Sequence, residues 1–208
     1  ALEQWLDFSS RSEKYDEAKC IYEWDRMVKK DKTIGTLKHF AKYDNPELYE
    51  GFLKEQVDPL IRQSLNGSHN DIAKVLHAYY GDEFRCASIS GKTWYQFRKD
   101  QHRWEEIEEG VFLREHISSK LVKDYIEMSK KLIDEYGASN DKAEEAMFAA
   151  RRKQVDKIIS NMKSAPFKNN VMREAMEVFY DRKFKEKLDQ NAFLMGFKNG
   201  VYDLKTNQ

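Results

Sequence analysis

Leu121-Val122-Lys123-Asp124-Tyr125-Ile126-Glu127-Met128-Ser129-Lys130-Lys131-Leu132-Ile133-Asp134-Glu135-Tyr136-Gly137 is the stretch that decides the fold class. Leu121, Val122, Tyr125, Ile126, Ser129, Leu132, Ile133 and Tyr136 recur at the spacing of one face of an α-helix, and Gly137 ends the pattern. Most of the charged residues fall on the other side. This helix therefore has one face to bury and needs neighbours to bury it against.

The same period returns on both sides. Downstream, a helix is expected from about Asp141 to Met162, with Val155, Ile158, Ile159 and Met162 inward. Another is expected from about Lys168 to Tyr180, using Val171, Met172, Ala175, Val178 and Phe179. Upstream, Ser68 with Asp71 three positions on resembles a capped helix start; Ile72, Val75, Leu76 and Tyr79 form the stripe, and Gly81 is a stop. Before that, Leu2, Trp5 and Leu6 suit a short helix, and about Glu13 to Val28 a second, with Ala18, Ile21, Tyr22 and Trp24 on one side. Thr33 is a cap for a third, with Leu37, Phe40 and Ala41 inward. Asn45-Pro46 opens a fourth, carrying Leu48/Tyr49, Phe52/Leu53 and Gln56/Val57. Pro59 should kink or break it, because proline lacks an amide donor and crowds the preceding turn.

In two places the period changes. Phe84 to Ile89, Trp94 to Arg98 and Arg103 to Ile107 read as short strands, rich in aromatic and β-branched residues and separated by turn-forming stretches. Ala192 to Phe197 and Val201 to Leu204 flank Asn199-Gly200, a hairpin signal. The expected class is mainly α (α+β): helical bundle-like domains, a small antiparallel sheet at about 84–107 and a C-terminal β-hairpin at about 192–204. Asn66-Gly67-Ser68 marks the expected boundary between a small helical domain, 1–66, and a second domain, 67–208. There is no internal repeat.

Composition bounds the rest. The 208 residues carry 36 basic and 36 acidic side chains and are 40% hydrophobic and 13% aromatic, which excludes disorder as a global description. Nine Gly and three Pro exclude a collagen-like chain. No run approaches the ~18–20 apolar residues of a membrane span, and no apolar leader opens the sequence, so neither membrane insertion nor secretion is expected. Cys20 and Cys86 make no disulfide framework and are read as reduced, packed thiols. Charge is unevenly spread: residues 147–187 hold eleven Lys and Arg against five Asp and Glu, whereas residues 1–146 hold 23 against 29.

Most motifs fail on inspection. Gly91-Lys92-Thr93 invites comparison with a phosphate loop, but the glycine required five positions earlier is Cys86. His39, His69, His77, His102 and His116 show no paired zinc spacing. Glu105, Glu106, Glu108 and Glu109 alternate faces on a strand and make no catalytic pair by themselves. No nucleophile and base stand together in sequence. Two features suit binding. Arg151, Arg152, Lys153 and Lys157, followed by Lys163 and Lys168, lie on one helix and the turn after it, where Lys153 and Lys157 share a face able to track phosphates. Trp94 and Trp104, on neighbouring strands near Tyr95 and Phe97, would stack bases if exposed.

Three segments together resemble the poxvirus-type primase–helicases of large DNA viruses. Trp5-Leu6-Asp7-Phe8-Ser9, Cys20-Ile21-Tyr22-Glu23-Trp24 and Thr33-Ile34-Gly35-Thr36-Leu37 resemble the primase C-terminal domain. Asp71-Ile72-Ala73-Lys74-Val75-Leu76, Tyr80-Gly81-Asp82 and the Trp94–Trp104 segment resemble the domain preceding a superfamily 3 helicase. Leu194-Met195-Gly196-Phe197-Lys198-Asn199-Gly200-Val201-Tyr202-Asp203-Leu204 resembles the hairpin leading toward the helicase ATPase. The family's primase carboxylates and phosphate loop have no counterpart here. The resemblance therefore implies a linker and collar segment without a catalytic site of its own, which supports hexamer assembly and engages DNA weakly and non-specifically. ATP and Mg belong to the helicase of the longer protein, and other viral replication proteins are implied partners, at replication sites in the host cytoplasm or nucleus. The competing expectation is a standalone nucleic-acid-binding or protein-interaction module.

Overall fold

The computed structural model describes residues 2–10, 14–26, 34–101, 103–137, 142–197 and 200–205, and the chain divides into units of residues 1–46 and 47–208. In the first unit the apolar spacing around Trp5 and Trp24 yields α1 (Leu2–Ser9) and α2 (Glu17–Arg26), followed by α3 (Ile34–Asp44). The two indoles meet with ring centroids 6.2 Å apart, and Trp5 Nε1–H donates to the Cys20 carbonyl at 3.3 Å. Tyr22 and Phe40, expected inward, are instead 57% and 53% exposed. The expected cap at Thr33 and the side chain of Leu37 lie outside the described residues.

The second unit begins with α4 (Pro46–Ser64) and α5 (His69–Tyr80), then β1 (Phe84–Ser88), β2 (Thr93–Arg98) and β3 (Arg103–Ile107). There follow α6 (Val111–His116), a π-helical turn at Ile117–Leu121, α7 (Val122–Gly137), α8 (Lys142–Asn161) and α9 (Ala165–Val178). A short α10 (Phe184–Lys187) and the hairpin β4 (Leu194–Phe197) and β5 (Gly200–Asp203) complete it. The protein is thus mainly α with a small antiparallel sheet and a C-terminal hairpin. Among the described residues no helix is long and apolar enough to cross a membrane.

Pro59 does not break α4, which runs unbroken from Pro46 to Ser64. Val57 and Ile61, on either side of it, are anchored in the core, while Pro59 itself is exposed, so packing holds the helix across the one missing hydrogen bond. Three ion pairs tie α4 to α7: Lys54–Glu127 at 2.8 Å, Asp58–Lys131 and Arg62–Glu135. Each step is four residues on both helices, so the two run parallel in register. Exposed pairs of this kind contribute little each, about 0–1 kcal/mol, but like-charge mismatches disfavour a shifted register. Beneath them the buried Ser64 and Tyr125 hydroxyls bond each other, and Ser64 Oγ donates to the Ile61 carbonyl at 2.7 Å.

Helix α5 starts as its sequence predicts, with Ser68 Oγ accepting from the Asp71 amide at 3.3 Å. It ends before Gly81, whose φ of −61° is ordinary right-handed backbone. Glycine is needed there for space, because a Cβ would sit 2.6 Å from the His77 carbonyl oxygen. Ile72, Ala73, Val75 and Leu76 are buried, and α5 packs lengthwise on α9, whose Val171, Met172 and Ala175 are also buried. His69 meets Phe167 edge-on at 4.7 Å, His77 meets Phe179 at 4.9 Å, and Asn70 Nδ2 donates to Glu174 Oε2 at 3.1 Å.

The deciding stripe on α7 is largely as read, with Leu121, Val122, Tyr125, Ser129 and Leu132 buried. Met128 is also buried, whereas Ile126 and Ile133 are 40% and 39% exposed on its flank. The side chain of Tyr136 lies outside the described set. In the sheet, order β1-β2-β3, Cys86 pairs with Trp94, Trp94 with Ile107 and Phe97 with Trp104. After α9 the chain lies alongside β1: Cys86 N–H donates to the Phe179 carbonyl and Asp181 N–H to the Cys86 carbonyl, each at 3.0 Å. In the hairpin Phe197 pairs with Gly200, so Gly200 is a strand residue and residues 198–199, outside the described set, connect the strands. Its Phe193, Leu194, Met195 and Phe197 are all exposed.

His116 closes α6 and stacks on Tyr80 with centroids 4.1 Å apart. Burial lowers its pKa from the ordinary 6.5, against weaker opposite pulls from Glu115 and Glu83. The unfolded chain therefore takes up this proton at higher pH than the folded one. The His116 contribution to stability is complete above the ordinary imidazole pKa and lost as pH falls through and below it. Urea midpoints measured across that range should fall less steeply for His116→Phe than for the parent. Parallel pH profiles would exclude His116 as the titrating group.

Candidate nucleic-acid interface

Val155, Ile158 and Met162 are buried, as their spacing predicts, and Ile159 is half-buried. Burying that stripe leaves the rest of α8 in solvent. Arg151, Arg152, Lys153 and Lys157 are all exposed on the helix, and Lys153 and Lys157, four apart, share the face turned away from the core. Arg152, Lys153 and Asp156 flank a groove of about 490 Å³ between α7 and α8, lined also by Leu132, Ile133 and Phe148. Lys163 falls in the turn after α8, and Lys168 is half-buried in the first turns of α9. The structure thus gathers four of the six expected cations on one helix and leaves two beyond its end.

The two tryptophans part company. Phe97 pairs with Trp104 and Trp94 with Ile107, so alternation along β2 sends Trp94 and Trp104 to opposite faces. Trp94 is 1% exposed and packs on Phe179 with centroids 5.6 Å apart. It is a core residue, and the expectation that it stacks bases is corrected. Trp104, on the outer face, is half-buried against Phe97 at 5.5 Å and Phe184 at 4.9 Å, with the Arg85 guanidinium carbon 5.5 Å from its ring. Phe184, 5% exposed, caps this face from α10. Sequence reasoning missed that cap; its signal was a single aromatic residue inside the basic run Arg182–Lys187.

The rejected motifs take their places as separate pairs. The Gly91-Lys92-Thr93 segment is a turn leading into β2, with Gly91 N–H donating to Ser88 Oγ at 3.0 Å; no helix follows it. Glu105 pairs with Arg98 at 2.6 Å, Glu106 accepts from the Tyr95 hydroxyl at 2.8 Å, and Glu109 pairs with Lys92 at 3.1 Å. Cys86 is buried and Cys20 half-buried, both as free thiols. Burial pushes the Cys86 thiol up, away from the reactive thiolate. His39 and His102 have no described side chain, and among the described residues no group of three or more metal-ligating side chains converges.

A second concavity, about 620 Å³, opens where the β1–β2 turn, the β3–α6 turn and α9 meet. One wall is a single helical stripe, Asn169, Met172, Arg173 and Met176. Arg114 of α6 faces it, with its Nε–H donating to Asn169 Oδ1 at 3.2 Å. Behind two of the lining residues, Gly110 has φ +68°, and a Cβ there would stand 2.9 Å from Met172 Cε and 3.2 Å from the Trp94 ring. Lys92 (φ 47°) and Glu109 (φ 43°), two non-glycine residues in the left-handed region, are bridged across the rim.

Against known proteins, residues 73–208 match the family described as D5 N terminal like, and residues 1–41 match Primase C terminal 2. The chain belongs to the D5 N-terminal-like family and is a primase–helicase-related region of large-DNA-virus type. A relative from Acanthamoeba polyphaga mimivirus is 35% identical over 98% of this chain and 21% of its own length. One from Frog virus 3 is 29% identical over 97% of this chain and 23% of the relative, and one from Invertebrate iridescent virus 3 is 25% identical over 97% and 25%. Each carries the name "Putative helicase". The chain spans about a fifth to a quarter of these relatives' length.

Proposed function

We propose that the chain is the connector of a viral replicative primase–helicase, joining a primase portion to a superfamily 3 helicase, supporting hexamer assembly and holding DNA weakly during replication. The observation that carries this reading is the order of its parts. A primase C-terminal segment at 1–41 precedes a D5 N-terminal-like segment at 73–208, and the chain divides into compact units of residues 1–46 and 47–208. Relatives named as helicases and several times longer support DNA and other replication proteins as partners.

ATP and Mg are assigned to the helicase portion of the longer protein. The Gly91-Lys92-Thr93 segment does not fit a triphosphate: Cys86 stands at the required glycine, the lysine is paired with Glu109, and a strand rather than a helix follows. What this chain supplies is contacts with DNA from α8. The exposed Arg151, Arg152, Lys153 and Lys157 displace condensed counterions from a phosphate backbone without reading bases.

The test is a salt titration of binding to labelled DNA. Each phosphate neutralised adds about −0.9 to the logarithmic salt slope on duplex, or about −0.7 on a single strand. The triple variant Arg151→Ala, Arg152→Ala, Lys153→Ala should bind more weakly and flatten the slope by about two to three such contacts. Unchanged affinity and slope would reduce α8 to a solvated helix face.

A further inference from the structure

We propose that the cavity between the β1–β2 turn, the β3–α6 turn and α9 takes one nucleotide unit, with a phosphate ester between Arg114 and Arg173 and its flat ring against the methionine wall. For its polymer arm this rests on the DNA-binding reading above.

The cations come first. Lys92, Arg114 and Arg173 line the cavity against Glu108 and Glu109, and Lys92 is already spent on Glu109 at 3.1 Å. Arg114 uses its Nε–H on Asn169, which fixes its reach and leaves the terminal nitrogens of its guanidinium for a ligand. Arg173 has no ion-pair or hydrogen-bond partner among the described residues. Two guanidinium groups from different helices, converging on one concavity, match the forked geometry of a phosphate.

The remaining lining is suited to a ring. Met172 and Met176, three and seven positions after Asn169 on the same stripe, offer thioethers that pack well against aromatic faces. Asn170 brings an amide with both donor and acceptor and has no partner among the described residues. About 620 Å³ lies in the range of small-ligand sites and is ample for one base with its sugar.

A separate observation is backbone geometry. Of the three non-glycine residues with positive φ among the described residues, Lys92, Glu109 and Asp189, two line this cavity and are paired with each other. Such conformations persist only where the surroundings hold them, and they concentrate at ligand clamps.

Fluorescein-labelled oligo-dT, read by anisotropy, and free thymidine triphosphate, read by titration calorimetry, are the two probes. Oligo-dT affinity should drop at least ~10-fold in the double variant Arg114→Ala, Arg173→Ala, the scale of losing charge-assisted hydrogen bonds. Arg173→Ala alone, which removes no ion pair or hydrogen bond among the described residues, should show a partial loss even if the double variant folds poorly. If oligo-dT binds and neither arginine variant weakens it, the cavity proposal is overturned while DNA binding stands. If oligo-dT does not bind but thymidine triphosphate does, and Arg173→Ala abolishes that, the site is upheld as a nucleotide pocket and the DNA reading fails. If neither probe binds the parent chain, both are overturned.

Discussion

Replacing Trp94 by alanine should destabilise the second unit by about 3–5 kcal/mol, the usual cost of emptying a large aromatic site in a packed core. Trp94 sits in the central strand of the three-stranded sheet, is 1% exposed, and is the largest fully buried side chain among the described residues. It touches Phe179 on one side and lies 3.2 Å from the position of a Gly110 Cβ on another, so several elements converge on the volume it fills. Domains of this size are commonly stable by about 5–15 kcal/mol, so the loss is a large share of the whole. The measurement is the urea midpoint at unchanged denaturant slope. Trp104→Ala is the comparison, because that ring is half-buried on the other face and its removal leaves an opening to solvent rather than a closed void. A Trp94→Ala midpoint no lower than that of Trp104→Ala would contradict the placement of Trp94 in the core.

Gly110→Val should cost about 2–4 kcal/mol, combining the left-handed backbone penalty with overpacking. At φ +68° an L side chain is strained before any contact is counted. Its Cβ then meets Met172 Cε at 2.9 Å and the Trp94 ring at 3.2 and 3.3 Å. The methionine tip has rotamers through which to swing away; the indole, 1% exposed and packed on Phe179, does not. Gly51→Ala provides the opposite sign. Gly51 lies inside α4 with nothing within 4 Å of a Cβ, so the same denaturation assay should show a gain of about 0.5–1 kcal/mol. A Gly110→Val chain as stable as the parent would mean that the β3–α6 turn is not held against the Trp94 ring.

The sequence made the helices legible because their stripes are long and regular. Val155, Ile158 and Met162, or Ile72, Val75 and Leu76, need no tertiary information to be recognised as inward-facing. The strands were equally readable as strands, yet their register was not, and register is what separates Trp94 from Trp104. No local feature tells which side of a three-stranded sheet will meet the helices, so two aromatics on neighbouring strands looked equivalent.

The same limit explains Pro59. A proline signals a helix break only when nothing outside the helix holds it, and what holds α4 is α7, more than sixty residues away in the chain. Lys54, Asp58 and Arg62 carry alternating charge at four-residue steps, and Glu127, Lys131 and Glu135 carry the complement. That match has meaning only once the two helices are known to be neighbours. The cavity beneath Arg114 and Arg173 was invisible for the same reason. Its lining comes from the β1–β2 turn, the β3–α6 turn and α9, and no single segment contains a motif.

The packing of α5 on α9 also sets an order of events during synthesis. Asn70 and Glu174, hydrogen-bonded across that interface, are 104 residues apart in the chain. At translation rates of about 5–20 residues per second, α5 leaves the ribosome about 5–20 s before its partner exists. For that interval Ile72, Val75 and Leu76 cannot be covered by α9. Closing such a long loop is slow compared with forming either helix alone. The nascent chain is therefore most exposed to chaperones, proteases and self-association between the appearance of Tyr80 and that of Val178, and silent codon changes that slow translation across that interval prolong the exposure.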